Sequence, residues 1–444
     1  VTSREEHAYD WTPAALIAAR RGAPPGAPRV VEYPSSTGDV VEILRAAHAE
    51  GTPVVPFGGG SSVVSGIVAE DAIVVDLRRM DRVLDIDSKS RLVVAQAGIG
   101  GATLAAALES EGLRLGHEPQ SIELSTLGGW IATRAVGQLS ARFGGIEDLV
   151  VGLEAVLPGG RVVRAKAAPR RSTGPDLASV MIGSEGVFGI VTEATVRVRP
   201  TARERVDRAV RFDHMTDGVA ACRRLAQGEL EPTVVRLYDT EDSSVFLRHH
   251  PEETAGPLLI LSFEGRDAAG RADAAVVESG GAPGNDSLAA HWWEHRNDAV
   301  EEFRRVMAGE GVLGPHAVID TMEVAGTWTV LRALYHTMKE ALSAEALFAG
   351  CHLSHIYPDG ACLYFTMGSM CEDDHHAAHV NRRWWQVGMR ACLDAGGTIS
   401  HHHGIGRLRA PWIREELGEW HAVLSAIKRA VDPKGIMNPG VLGL

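Results

Sequence analysis

Pro56-Phe57-Gly58-Gly59-Gly60-Ser61-Ser62-Val63 follows the apolar run Gly51-Thr52-Pro53-Val54-Val55, which reads as a short buried strand. Three consecutive glycines strip the turn of side chains. Backbone N–H groups can then converge on an anion, and the chain can take φ values that other residues resist. Ser61 and Ser62 add hydroxyl donors. Such a loop suits the pyrophosphate of a dinucleotide cofactor. On its own it reads equally as a plain Gly-rich turn.

The 444 residues exceed one core, so two or three domains are expected. The 45% hydrophobic and 23% charged content is that of a globular chain. A net charge of −13 argues against nucleic acid or an acidic membrane surface as partner. No apolar run approaches a membrane span, and Val1 to His7 carry no apolar signal core. The 5 cysteines form no CxxC pair, which disfavours a disulfide framework or structural zinc and suits a reducing compartment. The expectation is a cytoplasmic protein. The preference for Arg over Lys associates it with a high-GC bacterial source.

Outward from the loop, Trp11 to Arg21 and the stretch after Thr37-Gly38-Asp39 read as helices. Val30–Pro34, Asp71–Leu77 and Arg91–Ala97 read as strands. Gly98-Ile99-Gly100-Gly101-Ala102-Thr103 tempts a Rossmann reading, but Thr103 holds the third glycine position. The strand-end acid some twenty residues on is missing too, so a strand-to-helix turn is the better reading. Gly116 to Ala135 is long, poor in charge and rich in small hydroxyl residues. Ser125-Thr126-Leu127-Gly128-Gly129 can bring N–H and O–H donors against a planar cofactor, or simply cap a helix through Ser125 or Thr126. Asp148 to Val163 reads as a hairpin turning at Pro158-Gly159-Gly160. Glycines 183, 186 and 189 suggest backbone packed on something flat, before a strand from Ile190.

Beyond residue 200 the texture changes. Strands at Arg203–Phe212, Thr233–Tyr238 and Pro257–Glu264 alternate with helices at Asp217–Leu225 and Ala268–Ser279. This rhythm predicts an antiparallel sheet with helices on one face. Helices are expected again at Trp384–Asp394 and Trp420–Val431, around the run Ser400-His401-His402-His403-Gly404.

Four segments in this order resemble the flavin domain of the vanillyl-alcohol-oxidase superfamily. They are Pro56–Ser62, Ser125–Gly129, Gly183-Ser184-Glu185-Gly186 and Asp432-Pro433-x-x-Ile436-x-Asn438-Pro439-Gly440. The resemblance spans nearly the whole chain. It implies an α+β fold, with a PCMH-type FAD-binding domain of two subdomains and an antiparallel-sheet cap domain over the substrate. The expected limits are 1–203 for the FAD domain, 204–385 for the cap and 386–444 for a C-terminal segment returning to the FAD domain. FAD is the implied cofactor. Some members tether it through a His near the first loop; Ser61 and Ser62 stand there instead, so non-covalent FAD is expected. The implied cofactor-binding residues are Pro56, Phe57, Gly58, Gly59, Gly60, Ser61, Ser62, Gln120, Ser121, Leu124, Ser125, Thr126, Gly128, Gly129, Thr133, Ala135, Gly183, Ser184, Glu185, Gly186 and Ile190.

Within the superfamily, the chain is similar to the alkyldihydroxyacetonephosphate synthase branch. Gly116-His117-Glu118-Pro119, Ser172-Thr173-Gly174-Pro175-Asp176, Gly360–Phe365 and Ser400–Gly404 carry that likeness. The D-2-hydroxy-acid dehydrogenase branch usually has Glu-His-Gly at His402-His403-Gly404 and Gly-Asp-Gly-Asn near His355–Ala361, so its metal site is not expected. The synthase branch implies exchange of an acyl ester for an alkyl ether through a flavin N5 adduct, without net redox change.

On the residues alone, Leu363-Tyr364-Phe365 alternates like a strand, and Tyr364 reads first as a strand aromatic. The resemblance makes it the proton-transfer residue, provided a neighbour lowers its pKa. His401, His402 and His403 become candidate acid/base or carboxylate-binding groups. Three consecutive His in an extended segment face alternate sides, so they do not all serve one metal. Arg236 and Arg304 are the candidate anion ligands, with Arg305 an alternative to Arg304. Arg236 otherwise reads as a solvent-facing strand position. A small-molecule substrate is the expected partner, without an integral membrane segment, and a homodimer is the oligomeric state to test. The competing readings are an FAD-dependent oxidase or dehydrogenase of a hydroxyl or amine substrate, or a non-catalytic flavin-binding protein.

Overall fold

The computed structural model describes residues 5–250, 252–253 and 256–444. The first four residues, where the reading of the N-terminus begins, lie outside them. The chain mixes helix and sheet and forms two compact units. One runs up to Gly137 and resumes over Gly144–Thr201 and His402–Leu444; the other takes Gln138–Phe143 and Ala202–His401.

In the first unit, helix Thr37–Glu50 is closed at both ends. Ser36 and Asp39 make a capping box, and Gly51 at φ 73° ends it in the left-handed region. Its Val40, Val41, Leu44 and Ala47 bury against Val54, Val75 and Ile436. Strands Val30–Glu32, Ile73–Asp76 and Val54–Phe57 form a parallel sheet in that order. The chain's end joins it: Val54 N–H donates to Ile436 O and Asn438 N–H to Val54 O, both at 2.8 Å. A second, antiparallel sheet is ordered Val83–Asp87, Leu92–Gln96, Ile190–Arg197, Val150–Leu157, Arg161–Ala165. Helices Gly101–Glu109 and Leu127–Thr133 share its core through Leu104, Leu108, Leu127 and Ile131. The Gly98–Thr103 stretch is the strand-to-helix turn expected.

The second unit is a seven-stranded antiparallel sheet. Its order is Ala282–Pro283, Arg205–Arg211, Leu258–Glu264, Val234–Tyr238, Phe348–Ile356, Gly360–Ser369, Val318–Thr327. Period-two alternation gives one apolar face with Leu237, Leu363, Phe365 and Met322. Helix Met215–Gln227 meets it so closely that a Cβ on Gly218 would lie 2.7 Å from Leu237. Asp320 ties helix Asp374–Asp394 to this sheet, accepting from Asn381 Nδ2 and Trp385 Nε1, both at 2.7 Å.

Two expectations need correcting. Helices do not keep to one face, because helix Ser287–His295 buries Trp292 and Trp293 among Val234, Tyr238, Leu258 and Ile260 on the other. Leu139 and Phe143 join that same cluster, and this apolar burial puts Gln138–Phe143 in the second unit although the sequence placed it in the first domain. The division expected at 385/386 falls inside helix Asp374–Asp394, whose Trp384 and Trp385 are buried in its middle.

Asp320→Ala leaves two buried donors without their acceptor, costing roughly 3 kcal/mol. Calorimetry should show the thermal midpoint falling by about 5 °C or more; an unchanged midpoint would refute the anchoring role.

Candidate active site

The Gly-rich segments converge in the first unit. A Cβ on Gly59 would overlap the Leu124 carbonyl, and one on Gly58 the Thr126 hydroxyl. Gly186, at φ +79°, faces Pro56, whose Cγ would lie 2.8 Å from an added Cβ. Gly183 N–H donates to Ile131 O (2.9 Å) and Glu185 N–H to Ala132 O (2.8 Å). Loops 56–62, 124–129 and 183–186 are therefore neighbours. Residues 58–62 are half-buried, and among the described residues their N–H groups donate no hydrogen bond. Unsatisfied amides gathered on one turn form a nest for an anion. His117 adds a second unmet demand: it is 1% exposed and neither ring nitrogen has a partner. Burial holds it down to about 3, so the ring is neutral and offers one donor and one acceptor. The amide nest fits a polar, anionic cofactor, and the buried imidazole is a separate polar group in the same unit that is left to be satisfied.

Several residues expected to touch the cofactor make hydrogen bonds or apolar contacts within the chain. Ser125 Oγ donates to Ser121 O (2.8 Å) and accepts from Trp130 Nε1 (2.7 Å). Thr126 caps helix Leu127–Thr133 by accepting from Gly129 N–H (3.2 Å), which leaves its proton to give. Thr133 and Ser184 donate to the carbonyls of Gly129 and Met181. Ala135 gives its backbone groups to Trp130 and Ile146, and Ile190 lies in the core. Leu124, by contrast, is 38% exposed beside the loop. The Glu185 carboxyl accepts from Ile405 N–H (2.7 Å) and Gly406 N–H (2.8 Å), while its carbonyl accepts from Asn438 Nδ2 (2.7 Å). It is a latch for the last chain passage. Burial pushes its carboxyl up to about 7, against those two amides and Arg409.

In the second unit, the register sets Glu323, Tyr364 and His352 on adjacent strands. The Tyr364 ring stacks on His352, with centroids 4.8 Å apart and planes at 16°. Arg236 Nη2 donates to His352 Nε2 (2.7 Å). Tyr364 and Arg236 are thus brought together around a histidine that the sequence reading missed. Burial pushes Tyr364 up to about 12, although Thr321 and Arg236 pull the other way. The expected lowering is absent, because desolvation of a phenolate outweighs one hydrogen bond and one cation. His352 is held down to about 4 by burial, then by Arg236.

The histidine run is split. His401 lies in the second unit: its N–H donates to Glu323 Oε2 (2.6 Å), and its ring stacks on His355 at 5.1 Å. Burial holds it down to about 4. His402 and His403 fall in the first unit, their rings 4.4 Å apart. Arg304 is on the surface of helix Ala299–Met307, 55% exposed and ion-paired with Glu301 (3.3 Å). Arg305 is similarly exposed. Glu323 was missed although its signal was present: an acid inside the apolar run Val318–Ala325.

The sequence pattern of an FAD binding domain covers residues 28–166, and that of the FAD linked oxidases, C-terminal domain, covers 201–442. An alkyldihydroxyacetonephosphate synthase of Caenorhabditis elegans is 30% identical, over 95% of this chain and 77% of its own. An uncharacterized FAD-linked oxidoreductase of Escherichia coli K12 is 32% identical, over 94% of this chain and 89% of its own. A solved alkyldihydroxyacetonephosphate synthase superposes with a TM-score of 0.78 at 25% identity, covering 98% of this chain and 80% of that one.

Gly59→Ala should force the turn and the Leu124 carbonyl apart and lower the FAD-to-protein ratio of the protein that folds several-fold, read from the flavin absorbance; full loading would show that the close approach is dispensable. Glu185 makes a pH-dependent contribution. Its folded value lies above the ordinary one, so the stability it carries is complete below about 4.5 and is lost as pH rises through about 7. The melting midpoint of Glu185→Gln relative to wild type should therefore climb between about pH 5 and about pH 8. A flat or falling gap would remove burial as the cause. Matched along both its domains and near its full length, the chain belongs to the FAD-linked oxidases of the vanillyl-alcohol-oxidase superfamily and is a flavoenzyme whose cofactor is FAD.

Proposed function

We propose that this flavoenzyme exchanges the acyl ester of an acyl-dihydroxyacetone phosphate for an alkyl ether, with no net redox change. The observation that carries this reading is the trio Tyr364, His352 and Arg236 on one face of the cap sheet. A phenol that stays protonated stands beside a cation that, among the described residues, has no carboxylate within ion-pair distance. Near-full-length likeness to two alkyldihydroxyacetonephosphate synthases supports it.

FAD, held without a covalent tether by the 58–62 amides, supplies an electrophilic ring system. The chain does the rest. Arg236 takes an anionic group of the substrate, either the phosphate or the departing carboxylate. Tyr364 Oη would give its proton to the departing carboxylate as its C–O bond breaks and recover one from the alcohol whose oxygen forms the new C–O bond. Glu323 fixes the backbone of His401, and buried, neutral His401 offers a hydrogen bond without a charge. His402 and His403 are proposed to act on the leaving carboxylate. The second reading, an oxidase or dehydrogenase of a hydroxyl or amine substrate, is favoured by the likeness to the E. coli FAD-linked oxidoreductase.

The test uses the FAD-loaded protein with acyl-dihydroxyacetone phosphate and labelled fatty alcohol. Label should enter an ether product while oxygen and redox dyes stay unconsumed. Tyr364→Phe should slow this by roughly 10²–10⁴-fold at unchanged flavin loading. Substrate that bleaches the flavin and passes electrons to dye would overturn the exchange and favour the oxidoreductase.

A further inference from the structure

Arg236 lies mid-strand in Val234–Tyr238, half-buried, between the fully apolar Val235 and Leu237. Its guanidinium is charged at any working pH. Among the described residues no carboxylate lies within ion-pair distance of it. Its Nε is buried and finds no acceptor. The rings of Tyr238 and Trp292 flank it, at 5.4 and 5.8 Å from the guanidinium carbon. A half-buried cation without a counter-charge is costly to keep. A bound oxyanion provides both the charge and the missing acceptor.

The group that aims this cation is His352. A guanidinium has only hydrogens to offer, so His352 Nε2 is the acceptor at 2.7 Å. The ring proton is then on Nδ1, which donates to Asp242 Oδ2 at 2.6 Å. Asp242 is itself fixed in the first turn of helix Thr240–Phe246, where its N–H donates to the capping Asp239 at 2.8 Å. Tyr364 stacks on the His352 ring and holds its plane. Carboxylate, imidazole and guanidinium thus form a line that commits one edge of Arg236; the Tyr238 hydroxyl is also within its reach, and Nε is the donor left for a ligand.

We infer that Asp242 and His352 are positioning residues for an oxyanion site at Arg236, the carboxylate fixing the imidazole tautomer and the imidazole fixing the guanidinium. The site takes a phosphate or carboxylate group, and it rests on the proposed reaction only for which anion is the physiological one. Without Asp242, His352 is free to place its proton on Nε2, where it would face the guanidinium hydrogens and turn Arg236 away.

The FAD-loaded protein is titrated by calorimetry with inorganic phosphate, and separately with acetate. Wild type should bind at least one, and Arg236→Gln should lose it. Phosphate binding points to the phosphate ester as occupant, acetate binding to the departing carboxylate. Asp242→Ala should weaken the same anion by about tenfold. Asp242→Asn keeps an acceptor for Nδ1–H and should restore affinity to within about threefold. Nitrogen-15 spectra, with the His352 signal identified by its loss in His352→Phe, should show the Nδ1–H tautomer in wild type. The inference falls if wild type binds neither anion, if Asp242→Ala lowers only the melting midpoint, or if Asp242→Asn is as weak as Asp242→Ala. An Nε2–H tautomer also overturns it. Turnover is not read, so a failed ether exchange with these anion effects intact removes the proposed reaction and leaves the positioning roles standing.

Discussion

Two stretches of backbone meet at Gly58-Gly59 and Leu124–Thr126 with no room for a single added carbon on the glycine side. The first unit is organised by that contact. It holds the 58–62 amides on a fixed turn, where regular pairing has ended and no carbonyl among the described residues answers them. The strand leading in, Val54–Phe57, is clamped from the other side by the chain's end, through Val54 to Ile436 and Asn438. Lys428 reinforces this arrangement, donating to Val187 O, Asp432 Oδ2 and Met437 O at 2.7–2.8 Å. Segments far apart in sequence therefore set one loop geometry. Close-packed interiors have low compressibility and transmit strain, so a displacement at one of these segments is felt at the loop.

Much of this was legible in the sequence because glycine is informative where side chains are excluded. The runs at 58–60 and 183–189 signalled close approach, and the neighbouring segments carried a family pattern. The hydroxyl residues were harder to read. Ser125 and Thr126 look the same in sequence whether they cap a helix or meet a ligand, and the structure gives both of Ser125's hydrogen-bonding roles to the chain itself. Glu185 was placed beside the cofactor, but its partners at 405 and 406 are some 220 residues away. No local periodicity reports such a contact. The same holds for Leu139 and Phe143, whose apolar character was visible but whose destination in the second unit was not.

The seven-stranded sheet shows why an acid in a strand is ambiguous. Asp320 and Glu323 sit three residues apart in one apolar strand, so alternation turns them to opposite faces. Asp320 serves packing, binding the indole and amide of helix Asp374–Asp394. Glu323 binds the backbone at His401 beside Tyr364. Burial alone does not separate them, since both are almost wholly inside. Their partners do: one holds helix side chains, the other a backbone amide in a histidine run.

The protonation states on the Tyr364 face bear on the chemistry. Tyr364 is pushed up to about 12 and His352 down to about 4, in each case because burial disfavours the charged form. These two rings therefore keep one protonation state across the neutral range, a phenol against an uncharged imidazole. An oxidation that carries off a proton and a hydride calls for a base near the working pH. Neither ring is such a base. A phenol that starts protonated serves an exchange by giving its proton to the departing group and recovering one from the incoming alcohol, with a cation to steady the anion that leaves. Arg236 has the charge for that task and, among the described residues, no carboxylate within ion-pair distance. These protonation states are the ones that the exchange we propose calls for.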